Sequence, residues 1–248
     1  MNASNAASID PREVELFGGM AAEWWDPKGS SRLLHQINPI RLGFLRDQAL
    51  GHFGRDSRAR RPFEGLAALD VGCGGGLLCE PLARMGFAIT GLDAAEPSIA
   101  VARAHAEAMG VAVDYRCSSA EALAAERPES FDLVTCFEVV EHVADLDAFL
   151  GALHGLLKPD GLLLFSTPNR TALSHAVMIT GAERVLKLLP EGAHDWNKFL
   201  TPDELTEALV KAGFVVGDIH GISFSPLSGF AIGRSTAINY IGSARRTA

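Results

Sequence analysis

The chain has 248 residues, 48% of them hydrophobic, and a formal charge of −8 at pH 7. That length and apolar content suit one α/β domain with added elements, and the negative balance argues against nonspecific nucleic-acid binding, so no nucleic-acid partner is expected. The four cysteines, Cys73, Cys79, Cys117 and Cys136, lack C-x-x-C spacing, which disfavours structural zinc and a disulfide framework and favours a reducing compartment.

Residues 1–9 read as a disordered tail. Met1 to Ser8 are small and polar, without the basic or apolar segments of a signal peptide. No run reaches the roughly 20 apolar residues of a spanning helix, so a cytoplasmic protein is expected. A helical cap is predicted over 10–62. Its first helix opens at Asp10-Pro11-Arg12-Glu13, with a capping acid, proline at the first position and an early acid. Val14, Phe17, Ala21 and Trp24 follow on one helical face. The segment His35–Arg41 should break at Pro39 and restart as a helix to about Leu50. Arg55–Pro62 is a basic, proline-ended connector.

From residue 63 to 248, apolar runs alternate with helical patterns. Strands are predicted near Ala67–Val71, Ala88–Asp93, Val113–Arg116, Leu133–Phe137, Gly161–Ser166, Val215–His220 and Ala237–Ala244. Helices fall between them, the clearest at Pro97–Met109 and Asp145–Leu157, and another opens at Thr201-Pro202-Asp203-Glu204. The alternation predicts a doubly wound, mainly parallel seven-stranded α/β sheet, Rossmann-like, with ligand at the carboxyl ends of the strands.

A helical insertion, 169–200, follows the fifth strand. Leu173, Val177, Met178, Val185, Leu186, Leu188 and Leu189 share a broad helical face, with Glu183, Arg184 and Lys187 on the other side. Two compatible readings arise: a lid packed on the sheet, or a surface over 171–190 that takes a hydrophobic tail or touches anionic membrane lipid from the cytoplasmic side.

The densest signal is Leu69-Asp70-Val71-Gly72-Cys73-Gly74-Gly75-Gly76, followed about twenty residues later by Gly91-Leu92-Asp93. A strand, a glycine turn, a helix and a second strand ending in an acid form a βαβ nucleotide-binding unit, the acid placed for ribose hydroxyls. Leu77 stands where a dinucleotide fingerprint needs glycine, and Asp70 would repel a phosphate and attract a cation. An acid-G-x-G turn with Asp93 looks like the class I methyltransferase signature, whose cofactor is S-adenosyl-L-methionine. Gly72 and Gly74 would then lie under its methionine moiety. Ser119 and Ala120, in the turn after the third strand, would read the adenine amino group, although Ser119 with Glu121 equally suits a helix N-cap. Phe137, ending the fourth strand, would flank the adenosine or belong to the core.

Glu138, Glu141 and His142 are spaced i, i+3, i+4, so one helical turn would set them on one side. Three readings stand open: a divalent cation site, a metal-free general base at His142 oriented by a carboxylate, or a helix N-terminus with favourable acids.

With these residues in view, the chain resembles the ubiquinone-biosynthesis O-methyltransferases, which act on 2-polyprenyl-6-hydroxyphenols and 3-demethylubiquinol. The resemblance runs from about Glu15 to Gly242. Beyond the glycine loop it rests on Trp24-Trp25-Asp26, His35–Arg41, Thr135–Val143, Ser166–Arg170 and His194–Phe199. It implies cofactor contacts at Arg41, Gly72, Asp93 and Phe137, Arg41 being a sensible partner for a methionine carboxylate. It also implies Mg2+ at Glu138, Glu141 and His142, a polyprenylated phenol or quinol substrate, and assembly with a ubiquinone-biosynthesis complex. Relatives can carry methionine where this chain has Phe137.

Overall fold

The computed structural model describes residues 8–177, 195–225 and 227–247. Residues 1–7 of the expected tail lie outside them, but Ser8 is packed. Its N–H donates to Glu121 Oε1 at 3.1 Å, and its carbonyl accepts from Ala144 N at 2.9 Å.

The cap comprises α1 (Pro11–Gly19), a 3-10 turn at Ala21–Glu23 and α2 (Arg32–Phe53). Contrary to expectation, Pro39 sits inside an unbroken α2. The lost backbone bond is outweighed by tertiary packing: Ile37, Phe44, Leu45 and Ala49 bury one face of the helix. Gly54, at φ +61°, ends it in the left-handed conformation.

The sheet domain runs β1 (Ala67–Val71), α3 (Cys79–Arg84), β2 (Ala88–Asp93), α4 (Glu96–Met109), β3 (Asp114–Cys117), α5 (Ala120–Glu126), β4 (Phe131–Phe137), α6 (Leu146–Leu156) and β5 (Leu157–Pro168). A helical turn, α7 (Ala172–Ser174), then α8 (Pro202–Lys211), β6 (Phe214–Ser225), β7 (Gly229–Gly233) and β8 (Asn239–Arg246) complete the described elements. The strand order is β3-β2-β1-β4-β5-β8-β6-β7. Strands β1 to β5 pair in parallel, and β8 is antiparallel to both β5 and β6.

The sheet therefore has eight strands among the described residues, one more than expected. The extra strand is β7, which folds back on the end of β6 with Ile222 opposite Ile232 and Phe224 opposite Phe230. It is five residues long and pairs on one side only, so its apolar run was too short to read as a strand.

Each face of the sheet is covered. Leu123, Phe149, Leu153, Leu209 and Phe214 pack on one side; Leu45, Phe63, Leu82, Ile99 and Tyr115 pack on the other. This doubly wound arrangement leaves the carboxyl ends of β1, β2 and β4 facing the cap. The apolar helix expected over Leu173–Leu189 falls mostly outside the described residues. Its first turns expose Leu173 and Val177.

Candidate active site

A cavity of about 1090 Å3 lies between the strand ends and the cap. Arg41, Gly72, Gly74, Asp93, Ser119, Ala120, Phe137, Glu138 and His142 all line it, and Glu141 does not.

The glycine loop is built by backbone necessity. Gly72 and Gly74 have φ of +70° and +50°, where side chains are strained. A Cβ on Gly72 would come within 2.5 Å of Val139, and one on Gly74 within 2.5 Å of the Trp24 ring. The cap thus presses directly on the loop, with Trp25 Nε1 donating to the Gly75 carbonyl at 2.9 Å, and Trp24 Nε1 is anchored on α4 by donating to Ser98 Oγ. Asp93 ties the loop to the second strand by accepting from Gly74 N (2.9 Å) and Ala95 N (2.8 Å). Burial raises its carboxyl pKa, against the pull of these N–H groups.

Ser119 takes the helix-cap role, its Oγ accepting from Ala122 N at 3.1 Å. Ala120 is buried behind it. Phe137 is half-buried, and the Arg41 guanidinium carbon lies 5.6 Å from its ring centre.

Asp70, also at the cavity wall, is fully enclosed and accepts from Thr135 Oγ1 at 2.7 Å and from Cys79 Sγ. Burial pushes its carboxyl up to about 6. A raised carboxyl favours the fold while protonated and loses that contribution as pH climbs through about 6. Asp70→Asn should therefore gain on the wild type by about 2 kcal/mol between pH 4 and pH 8. Urea unfolding at both pH values measures this, and a pH-independent difference would count against it.

The acidic cluster departs from expectation. Glu138 adopts φ +56°, in the left-handed region, and only Val140–His142 form a helical turn, of 3-10 type. The three side chains therefore diverge. Glu138 faces Arg41 at 2.5 Å and accepts from Ser166 Oγ at 2.8 Å; Asn239 Nδ2 donates to both its oxygens at 3.0 Å. Glu141 is buried and accepts from Thr167 Oγ1 at 2.9 Å. Burial, then the charge of Glu138, holds its carboxyl well above the usual range. His142 turns toward the cap, its Nδ1 3.2 Å from Glu13 Oε2, while its Nε2 is 3.9 Å from Glu141 Oε1.

The donor set for magnesium is accordingly not gathered. Among the described residues no three His, Cys, Asp or Glu side chains are placed to hold a metal ion. His142 is paired with Glu13 instead. Glu13 is braced by Lys198 Nζ at 3.2 Å, and Lys198 also reaches Asp10 at 3.3 Å. Burial would raise the Glu13 carboxyl, but His142 and Lys198 outweigh it and hold it low. Glu13, Ser166 and Asn239 were missed as site residues because they arrive from α1, β5 and β8. In the sequence Glu13 signals only an early helix acid, and Lys198 only part of the His194–Phe199 motif.

Comparisons with known proteins place the chain in a family. Residues 47–218 match a family model described as a methyltransferase domain. The chain is 48% identical to a protein from Parvibaculum lavamentivorans over 97% of this chain and 95% of that one, and 50% identical to one from a Methylobacterium strain over 100% of both. Both relatives are named ubiquinone biosynthesis O-methyltransferase. A SAM-dependent methyltransferase structure from Thermotoga maritima superposes with TM-score 0.60 at 19% identity, covering 95% of this chain and all of that one. Magnesium protoporphyrin IX methyltransferase from Synechocystis, solved with bound SAH, gives 0.56 at 20% identity, covering 84% and 85%. These structures bear out the Rossmann-like fold.

Proposed function

This chain belongs to the ubiquinone biosynthesis O-methyltransferase family, and from that premise we propose that its cavity methylates a ring hydroxyl of a polyprenylated phenol. The observation that carries the reading is the placement of His142, paired with Glu13, in the same cavity as Gly72, Gly74 and Asp93.

The cofactor, S-adenosyl-L-methionine, supplies an activated methyl group on sulfonium. Asp93 would hold its ribose hydroxyls, the loop at Gly72 and Gly74 its methionyl part, and the turn at Ser119 and Ala120 its adenine. Arg41 offers N–H groups beyond the one given to Glu138 for a carboxylate, with Phe137 beside it. A phenol with pKa near 10 is mostly protonated at neutral pH. His142 receives that proton as the oxygen attacks, and Glu13 orients the ring and balances the imidazolium charge. Cap and sheet together align the reactants and exclude water.

Both methylations of the pathway fit one cavity, since both acceptors are ring hydroxyls on a tailed head. The test is incubation with labelled S-adenosyl-L-methionine and, separately, a short-tailed 2-polyprenyl-6-hydroxyphenol and 3-demethylubiquinol. Labelled methyl ethers are expected from both; an ether from neither rejects the substrate reading. Among the described residues no helix is long and apolar enough to cross a membrane. Exposed Leu173 and Val177, at the start of 171–190, support peripheral contact with a lipid surface where tailed substrates reside.

A further inference from the structure

The β6–β7 hairpin carries an apolar ladder on one face. Ile222 lies opposite Ile232 and Phe224 opposite Phe230, and alternate residues of a strand share a face. The Phe224 and Phe230 rings are 5.0 Å apart. The other face reads Ser223 and Ala231, both exposed. Ile222 is buried in the core beside α2 and Phe230 and Ile232 pack against that core, whereas Phe224 projects beyond it as an exposed aromatic ring.

Ile222, Phe224 and Phe230 line the described cavity, together with Ile238. Exposure rises along the ladder, from 2% at Ile222 to 55% at Phe224 and 100% at Leu227 at the tip. The cavity therefore has two unlike linings. One is polar, at Asp93, Glu138 and His142; the other is apolar, along the hairpin, which starts beside Asn239 and Glu138 and becomes more exposed toward Phe224. Its volume of about 1090 Å3 exceeds the roughly 300–1,000 Å3 of a typical small-ligand site, leaving room beyond a cofactor.

We propose that this hairpin face is the recognition element for the isoprenoid tail, with Phe224 and Phe230 gripping the units nearest the ring. The inference rests on the prenylated-phenol reading above. Ile222 and Phe224 stand roughly 7 Å apart along the strand, so the grip covers the first one or two units and leaves the rest of the tail outside. The enzyme would read the presence of a tail and be indifferent to its length.

The test uses the full chain and a series of one hydroxyphenol head bearing zero, one, two or three isoprene units, without lipid. The wild type should show kcat/KM rising over the first two units and then levelling. In Phe224→Ala the ratio of kcat/KM for the two-unit to the tail-less substrate should fall about tenfold, in line with the loss of several apolar contacts. Phe230→Ala should act likewise. Val210→Ala, at an equally exposed site on α8, should keep the wild-type ratio and controls for loss of surface apolar area. A ratio unchanged in both phenylalanine variants overturns the proposal. So does an effect that appears only with vesicles, which would make the hairpin a membrane contact. Turnover of all heads with no gain from a tail would sink the hairpin's role and leave methyl transfer standing; no turnover of any head would sink the substrate reading first.

Discussion

His142→Ala should lower kcat for phenol methylation by about 10²- to 10⁴-fold, the usual reach of a positioned general base. The imidazole borders the cofactor cavity, and its Nδ1 meets a carboxylate that Lys198 braces from the far side. The side chain is 12% exposed and pairs with Glu13, so urea unfolding of the variant is measured alongside to separate lost packing from lost chemistry. Initial rates across pH separate a base from a structural prop. The deficit should shrink as solution pH approaches the phenol pKa near 10, where substrate arrives already ionised. A deficit constant with pH would assign His142 to packing. Glu13→Gln should give a milder loss in the same direction, since it leaves the imidazole in place without its counter-charge.

Arg41→Met should destabilise the protein by about 3 kcal/mol, at the low end of the range for breaking a buried ion pair. Arg41 is almost fully buried, and its loss strands Glu138, whose side chain keeps 17% exposure and three donor contacts from Ser166 and Asn239. Those remaining donors soften the penalty. The pair also explains why Glu138 tolerates a left-handed backbone, since strain of this kind persists where the surroundings over-determine it. Adding Glu138→Gln should recover much of the lost stability, because a neutral amide needs no counter-ion there. Urea unfolding of the two single variants and the double variant reads the coupling. Additive losses would mean that the pair is incidental.

The βαβ unit was legible in the sequence because its signals are local. Apolar runs ending in Gly72–Gly76 and in Asp93 declare strand, turn and strand, and the topology then brings the carboxyl ends of β1, β2 and β4 to one cavity. Side-chain partnerships across the fold were not legible. Spacing put Glu138, Glu141 and His142 on one helical face, yet a single residue at positive φ turned Glu138 toward α2 and β8. The partner of His142 lies 129 positions earlier, and periodicity holds no information about such a contact. Pro39 shows the opposite error. A strong local breaker was overridden by burial of the helix around it.

The most direct measurement is the transfer of labelled methyl from S-adenosyl-L-methionine to a short-tailed 2-polyprenyl-6-hydroxyphenol, by the wild type and by Asp93→Ala in parallel. A labelled methyl ether with the wild type, formed about a hundredfold more slowly by the variant at low cofactor, is the expected result, as for loss of a charged hydrogen-bonding partner. Equal rates in the two proteins, or no ether with the wild type, would contradict the assignment of this cavity to phenol methylation.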